Sequence, residues 1–198
     1  EGVLFENSYC TFPLCIPNRE SMFTGLMPHN LGYQKWNDEI DEKYRDQEMG
    51  NIFREAGYEC VFGGKVHAPD NIPENHGFDK ICGVNDNKLA EKCIEFLKRE
   101  HDKPFLLAAS FENPHNICQW SRNQNLPWGS IEETKPEDSP NLPLNYHIPA
   151  YEPEVIRLLQ KNFPQFYLPR DYNADQWRQF RNAYYRLIEK VDREILKI

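Results

Sequence analysis

The sequence predicts an α/β protein in which helices flank a largely parallel central sheet. Segments with helical spacing of apolar residues alternate with short apolar runs that favour strands, as in layered α/β folds. The chain has 198 residues with 39% hydrophobic content, enough to bury a sizeable core within one domain or part of one. Polar residues follow two of the predicted strands directly, where open α/β sheets bind their ligands.

The first predicted elements are a strand and a helix. A short apolar run over 3–5 indicates the strand. Pro17 fixes its own φ and lacks an N–H donor, which suits the first turn of a helix that continues through Arg19. Gly25 is expected to end this helix in the left-handed conformation. Cys15 then lies at the helix N-terminus, where N–H groups and the helix dipole favour an anion, with Arg19 one turn further along.

A second helix and strand follow. Asp46 is the N-cap candidate of the helix, and Gly57 lies just past its predicted end. One face of this helix is expected to carry its apolar residues, namely Met49, Ile52, Phe53 and Ala56. The segment 58–62 predicts a strand whose C-terminal end leads into Gly63-Gly64-Lys65-Val66-His67.

The next helix is expected to begin near Asn87, with Leu89, Cys93, Phe96 and Leu97 at helical spacing. The run 104–111 is apolar almost throughout, which predicts a central strand covered on both faces. This strand ends at Asn113-Pro114-His115.

The pattern changes over 119–172, a proline-rich irregular excursion that we expect to be broken by one short helix over about 154–163. This excursion has two interpretations: a surface loop of variable length, or the walls of a substrate pocket. A long amphipathic helix is predicted from Asp175, with one stripe expected to pack in the core. The stripe consists of Trp177, Phe180, Tyr184, Leu187, Val191 and Ile195.

Three motifs occur in one order along the chain: Cys15-x-Pro17-x-Arg19 closed by Thr24-Gly25, then Gly64-Lys65-Val66-His67, then Asn113-Pro114-His115. Their order and rough spacing resemble those of type I (formylglycine-dependent) sulfatases of the alkaline phosphatase superfamily. The resemblance implies the alkaline phosphatase/sulfatase-like fold, incomplete in this chain. It also implies that 1–198 is part of a single catalytic domain, an N-terminal to central fragment of a longer enzyme.

The resemblance implies a role for each of five residues. Cys15 would be converted to formylglycine, whose hydrate attacks sulfur. Arg19 would hold that hydrate, Lys65 would contact the sulfate, and His67 would act as the base that lets sulfate leave. His115 would bind the substrate near the bridging oxygen. Each residue also has a purely structural interpretation. Cys15 would be a buried structural cysteine, and Arg19 a surface arginine of the helix. Lys65 and His67 would be solvated residues after a strand, and His115 a loop residue.

We expect the segment over 65–67 to be extended, so that the side chains of Lys65 and His67 point to the same side of the chain. Four other histidines are interpreted as structural, surface or satisfied residues: His29, His76, His101 and His147.

The resemblance also implies a divalent cation, with calcium expected because it prefers oxygen ligands. Cys15, as formylglycine, is the one expected metal ligand within the chain. The paired aspartates of the family lie upstream of the cysteine motif, and further ligands lie downstream of the long helix. We therefore expect the remaining metal ligands outside these 198 residues.

The charge and composition of the chain argue against some classes of binding partner and indicate where the protein is located. The net charge of −8 and pI near 5.3 argue against a nucleic-acid-binding surface. No apolar run approaches the roughly 20 residues of a membrane span, and no leader is present in the sequence. The absence of an Asn-x-Ser/Thr sequon favours a bacterial source. We expect an exported enzyme of the periplasm or cell surface, matured by a formylglycine-generating enzyme.

Three functions follow as hypotheses. The first is hydrolysis of sulfate esters, on a sulfated carbohydrate or another sulfated small molecule. The second is phosphonate or phosphodiester hydrolysis within the same superfamily. The third is a non-catalytic binding module that retains the fold.

Overall fold

The structure, a computed structural model, describes residues 2–33, 41–68, 71–162 and 172–198. It divides into two compact units, Glu1–Phe111 with Ile198 and Glu112–Lys197. The elements of the first unit are α1 (Cys15–Thr24), α2 (Met49–Glu55), β1 (Glu59–Gly64), β2 (Asp79–Cys82), α3 (Asp86–Leu97) and β3 (Phe105–Ser110). Those of the second unit are α4 (Ile117–Ser121), α5 (Glu154–Asn162) and α6 (Ala174–Ile195).

The strands of the first unit form a parallel sheet in the order β2-β1-β3, which confirms the predicted α/β class. The register pairs Glu59 with Phe105 and continues to Gly64 with Ser110, so β1 and β3 end side by side. The predicted strand over 104–111 forms as β3, but within the described chain it lies at an edge of the sheet and not at its centre. Buried β1 takes the central place, and β3 pairs along one side only within the described chain, with Phe105 38% exposed.

The predicted strand over 3–5 is also wrong. Val3, Leu4 and Phe5 are 80%, 85% and 77% exposed, and their backbone belongs to no strand of the sheet. A strand needs a neighbour to satisfy its backbone groups, so apolar composition alone does not make one. By contrast, α1 begins at Cys15 and ends before Gly25, whose φ of 70° and ψ of 8° are left-handed, as predicted.

Helix α2 starts at Met49, later than its predicted N-cap at Asp46, because 42–47 forms a short 3-10 helix first. The predicted apolar face is wrong at Ile52, which is 50% exposed, and at Ala56, which is also exposed. Gly50 is buried instead, where an added Cβ would lie 2.2 Å from the His76 carbonyl oxygen. The core below this helix consists of Phe23, Cys60, Phe62, Val66, Ala68 and Phe78.

Helix α3 starts at Asp86, close to the predicted start, with Asn85 as N-cap. Leu89, Cys93 and Phe96 are buried, as their spacing predicts.

In the second unit, α5 begins at Glu154 as predicted, and the expected end at Phe163 lies outside the described residues. Helix α6 begins with a capping box between Asn173 and Gln176. The prediction that the whole stripe packs in the core is wrong. Leu187 is buried, but Tyr184 and Ile195 are 38% and 53% exposed. Within the described ranges, no helix has both the length and the apolar character needed to cross a bilayer.

Candidate active site

Cys15 is the first residue of α1 and is half-buried. Leu14 precedes it in an extended conformation and offers no side-chain cap, while the N–H of Asn18 donates to the Leu14 carbonyl at 3.2 Å. The first N–H groups of a helix have no acceptor within the helix and carry partial positive charge. The helix therefore presents the Cys15 side chain at an end that favours negative charge, as the sequence predicts.

Arg19 connects α1 to the carboxyl ends of two strands. Its Nη1 donates to the Lys65 carbonyl at 2.7 Å and to Ser110 Oγ at 3.1 Å. Ser110 Oγ in turn donates to the same Lys65 carbonyl at 2.8 Å. Since Arg19 is half-buried and bound to both partners, the alternative of a solvated surface arginine is wrong.

Burial lowers the pKa of the Arg19 guanidinium from its ordinary value, and the charge of a Cys15 thiolate acts in the opposite direction. An arginine remains cationic despite such a shift. Cys15 and Arg19 are four residues apart in α1, so their side chains lie on the same face of the helix, which brings a cation toward residue 15.

Lys65 follows β1 directly and is only 8% exposed, so it is not a solvated loop residue. Its N–H donates to the Ser110 carbonyl at 2.8 Å, which extends the pairing of β1 with β3 by one residue. His67 has a φ of 46°, and its N–H donates to Asn71 Oδ1 at 2.8 Å. Because this backbone is not extended, the alternation argument does not fix where the His67 side chain points.

Gly64 makes the close approach of β1 and β3 possible. Its φ is 96°, and an added Cβ would lie 2.0 Å from the Ser110 carbonyl oxygen. A side chain at this position would push the two strands apart where Lys65 and Ser110 meet. The close approach of the two strands thus explains why glycine occupies position 64, the first residue of Gly64-Lys65-Val66-His67.

His115 lies in the second unit, exposed, just before α4. Its N–H donates to the Glu112 carbonyl at 3.1 Å. Its grouping with Cys15 stays a prediction. Two other histidines are satisfied as expected: His76 bonds Glu48 and His101 bonds the Phe96 carbonyl, at 2.6 Å and 3.0 Å.

A fully buried cluster of Glu20, Glu48 and His76 offers three ligand atoms within 4.8 Å of one another. His76 Nδ1 lies 2.6 Å from Glu48 Oε2, whereas two ligands about 2.0–2.2 Å from one tetrahedral zinc stand roughly 3.3 Å apart. The Arg45 guanidinium lies 3.7 Å from the other Glu48 oxygen. Calcium takes about 6–8 oxygen ligands, more than this cluster offers. The geometry fits a buried network of hydrogen-bonded polar side chains, not a metal site.

Two features of this region are absent from the sequence-based prediction. Ser110 belongs to an apolar run, and the one feature of the sequence that could have indicated its role is a hydroxyl at the C-terminal end of a strand. The burial of Glu20 and Glu48 has no signal at all, because carboxylates in helices and turns are usually exposed.

The family model of the sulfatases, described as "Sulfatase", matches residues 1–198. The chain is 24% identical to a Delta 4,5-hexuronate-2-O-sulfatase from Bacteroides thetaiotaomicron, over 98% of this chain and 44% of that protein. It is 33% identical to human N-acetylgalactosamine-6-sulfatase, over 42% of this chain and 19% of that protein. The chain thus spans less than half the length of these relatives.

Solved structures show the same fold. A 2-O GAG sulfatase superposes with a TM-score of 0.80 at 23% identity, covering 99% of this chain and 45% of that one. The phosphonate monoester hydrolase of Agrobacterium radiobacter superposes with a TM-score of 0.61 at 16% identity, covering 95% and 49%. Arg19 of α1 meets Lys65 and Ser110 at the carboxyl ends of β1 and β3. Because the family model matches every residue, the chain belongs to the sulfatase family.

Proposed function

We propose that the protein containing this chain hydrolyses sulfate esters through a formylglycine derived from Cys15. The observation that carries the proposal is the Arg19 guanidinium, one helical turn after residue 15 in α1 and held by the Lys65 carbonyl and Ser110 Oγ. A half-buried cation beside a helix N-terminus favours a tetrahedral oxyanion. The acidic net charge of −8 makes such a local cation necessary for an anionic substrate.

Formylglycine, when formed, supplies a hydrate with two hydroxyls, one to attack sulfur and one whose deprotonation later expels sulfate. Arg19 orients that hydrate and offsets the negative charge that gathers on the sulfate oxygens. Lys65 binds the sulfate through its ammonium group, and its burial strengthens that attraction. His67 accepts the proton of the second hydroxyl, and His115 donates a proton to the leaving alcohol.

Sulfated carbohydrate is the proposed substrate class. The relatives named above act, by their names, on hexuronate, glycosaminoglycan and N-acetylgalactosamine sulfates. In the second unit, a cavity of about 750 Å³ has aromatic side chains along its wall, and sugar rings stack on such surfaces. These side chains are Tyr146, Tyr172, Trp177 and Phe180. They support the proposal that the excursion over 119–172 carries specificity.

A divalent cation, with calcium expected, remains part of the proposal, as do export, a bacterial source and the formylglycine-generating partner. The described residues near Cys15 contribute cations and a hydroxyl, and do not assemble the oxygen-rich set that calcium takes. The buried network of Glu20, Glu48 and His76 does not fit either. No catalytic step is therefore assigned to the cation.

The test uses the full-length protein, coexpressed with a formylglycine-generating enzyme, and two variants. Cys15→Ala should abolish hydrolysis of a sulfate monoester, while Cys10→Ala, which removes an exposed thiol, should leave it unchanged. Mass spectrometry of the Cys15 peptide should show loss of the thiol and gain of an aldehyde. Substantial turnover by Cys15→Ala would remove Cys15 from the nucleophile role, and an intact thiol would favour the non-catalytic module.

Phosphonate or phosphodiester hydrolysis is the second candidate, because the fold is shared with a phosphonate monoester hydrolase. Tetrahedral phosphorus and sulfur anions have similar shapes, so the cationic site suits both. Rates on a sulfate monoester and a phosphodiester, measured with the same preparation, discriminate between them. The proposal requires the sulfate ester to be the better substrate in kcat/KM.

A further inference from the structure

Ser110 is the contact between β3 and the cationic side chain of α1. Its hydroxyl accepts a hydrogen bond from Arg19 Nη1 at 3.1 Å and donates one to the Lys65 carbonyl at 2.8 Å. The same carbonyl accepts from Arg19 Nη1 at 2.7 Å. Three groups from three separate elements thus form a closed triangle of hydrogen bonds.

We propose that Ser110 is a positioning residue that fixes the orientation of the Arg19 guanidinium toward residue 15. This inference rests on the proposed function for its effect on turnover, while its structural part does not depend on it.

The argument begins with the donors of Arg19. Within the part of the chain that the structure describes, both side-chain hydrogen bonds of Arg19 leave from Nη1, which has two N–H groups. The Nε and Nη2 hydrogens therefore remain for an anion. A guanidinium is planar, so fixing Nη1 at two points also fixes the direction of its other donors.

The backbone gives Ser110 its place. Ser110 pairs with Gly64 in the register of β1 and β3, and its carbonyl accepts the N–H of Lys65 at 2.8 Å. Gly64 allows the two strands to approach closely, since an added Cβ would lie 2.0 Å from the Ser110 carbonyl. The hydroxyl is thus held beside the Lys65 carbonyl by the sheet itself, and a rigid element positions a side chain better than a loop does.

The alternative is that the hydroxyl only stabilises the sheet edge. A structural bond of this kind, once removed, would lower stability without changing the accessibility of Arg19 or the catalytic constants. The two roles therefore differ in what they predict for Arg19 itself.

The first experiment measures Arg19 directly in the full-length protein, whatever its activity. Phenylglyoxal modifies arginines, and peptide mass spectrometry gives the rate at Arg19. Ser110→Ala should raise this rate about five-fold, because one of the two acceptors of Nη1 is lost. Ser110→Thr keeps the hydroxyl and suits a strand, so it should restore the slow rate. Equal rates in wild type and Ser110→Ala would overturn the proposal.

Ser139→Ala is the matched control. Ser139 is 5% exposed, and its hydroxyl donates to the Lys135 carbonyl at 3.0 Å in the second unit, so the variant loses the same kind of bond without touching Arg19. If Ser139→Ala raises the rate at Arg19 as much as Ser110→Ala does, general loosening explains the result and the proposal fails. Should Ser110→Ala not fold, the comparison of Ser110→Thr with Ser110→Cys provides the same test, since a thiol is a weak donor and acceptor.

The second experiment measures kcat and KM on a sulfate monoester with matured enzyme. Ser110→Ala should lower kcat about ten-fold and leave KM within about two-fold, since oriented charge acts mainly in the transition state. A faster modification of Arg19 with unchanged kcat would contradict the catalytic part of the proposal. An inactive but fully matured wild type would instead contradict the proposed function, and the phenylglyoxal rates would still decide the positioning of Arg19.

Discussion

Replacing Glu48 by alanine should destabilise the protein strongly, because it breaks a buried network of polar side chains. Glu48 and His76 have 0% exposed side chains, and their closest atoms lie 2.6 Å apart. Removing Glu48 takes away the buried hydrogen-bond partner of His76 and the carboxylate beside the Arg45 guanidinium, which costs about 3–5 kcal/mol. In a domain of about 150–250 residues, such a loss corresponds to a fall in melting temperature of roughly 6–20 °C.

The effect should reach the candidate site. His76 stacks on Phe23 of α1 with ring centroids 5.3 Å apart, and α1 also carries Cys15 and Arg19. Loosening of His76 therefore weakens the packing of the helix that presents residue 15. Thermal unfolding followed by circular dichroism measures the stability of the Glu48→Ala variant and of the wild type.

Glu95→Ala is the matched control. Glu95 pairs with Lys92 at the same 2.6 Å, but the two side chains are 55% and 41% exposed. Surface pairs contribute about 0–1 kcal/mol, so this variant should melt close to the wild type. If Glu48→Ala also melts within about 2 °C of the wild type, the network does not stabilise the fold as argued.

A double-mutant cycle isolates the pair. Glu48→Leu and His76→Leu should each destabilise, and the double variant should lose less than the sum of the two by at least about 1 kcal/mol. Additive losses would show that the two side chains act independently, despite the short distance between them.

Three further outcomes are expected. Gly64→Ala should lower the free energy of unfolding in urea by about 1–3 kcal/mol more than Gly57→Ala does. Both glycines have φ near 90°, but of the two only Gly64 would bring a Cβ against the backbone of another strand. Equal losses would contradict the close approach of β1 and β3. Burial raises the pKa of the Cys93 thiol, so alkylation of Cys93 in the native protein should be slow at pH 8. The free energy of unfolding should fall as the pH rises above the ordinary thiol pKa, because the unfolded state then releases the proton while the native state keeps it. Rapid alkylation of Cys93 in the native protein would refute this. His115→Ala should slow hydrolysis of alkyl sulfates more than that of activated aryl sulfates, and equal losses would exclude His115 as proton donor.

The local signals in the sequence predict the elements that carry the site. Pro17 and Gly25 mark the helix that begins at Cys15, and the structure confirms both of its ends. The strand before Lys65 is also predicted correctly, because its apolar run follows Gly57, a residue that suits the end of the preceding helix. Such features depend on a few neighbouring residues, which a sequence shows.

Errors arise where distant parts of the chain decide the outcome. The apolar run of β3 indicates a central strand, but strand order depends on which strand pairs on each side, and β1 takes that place. The extended geometry expected for Lys65 and His67 ends at a left-handed φ of 46°, which a non-glycine residue does not announce. Ser110 escapes prediction for the same reason, since its partners are 45 and 91 residues away.

Lys65 contributes to the candidate site through two chemically separate parts. The guanidinium of Arg19 binds its main-chain oxygen at 2.7 Å, an atom that every amino acid supplies. Exchange of the ammonium-bearing side chain for another unbranched one would therefore remove the charge that we propose binds the sulfate, while preserving the main-chain anchor of Arg19. The proposed contact of residue 65 with the substrate is thus separable from its part in holding Arg19.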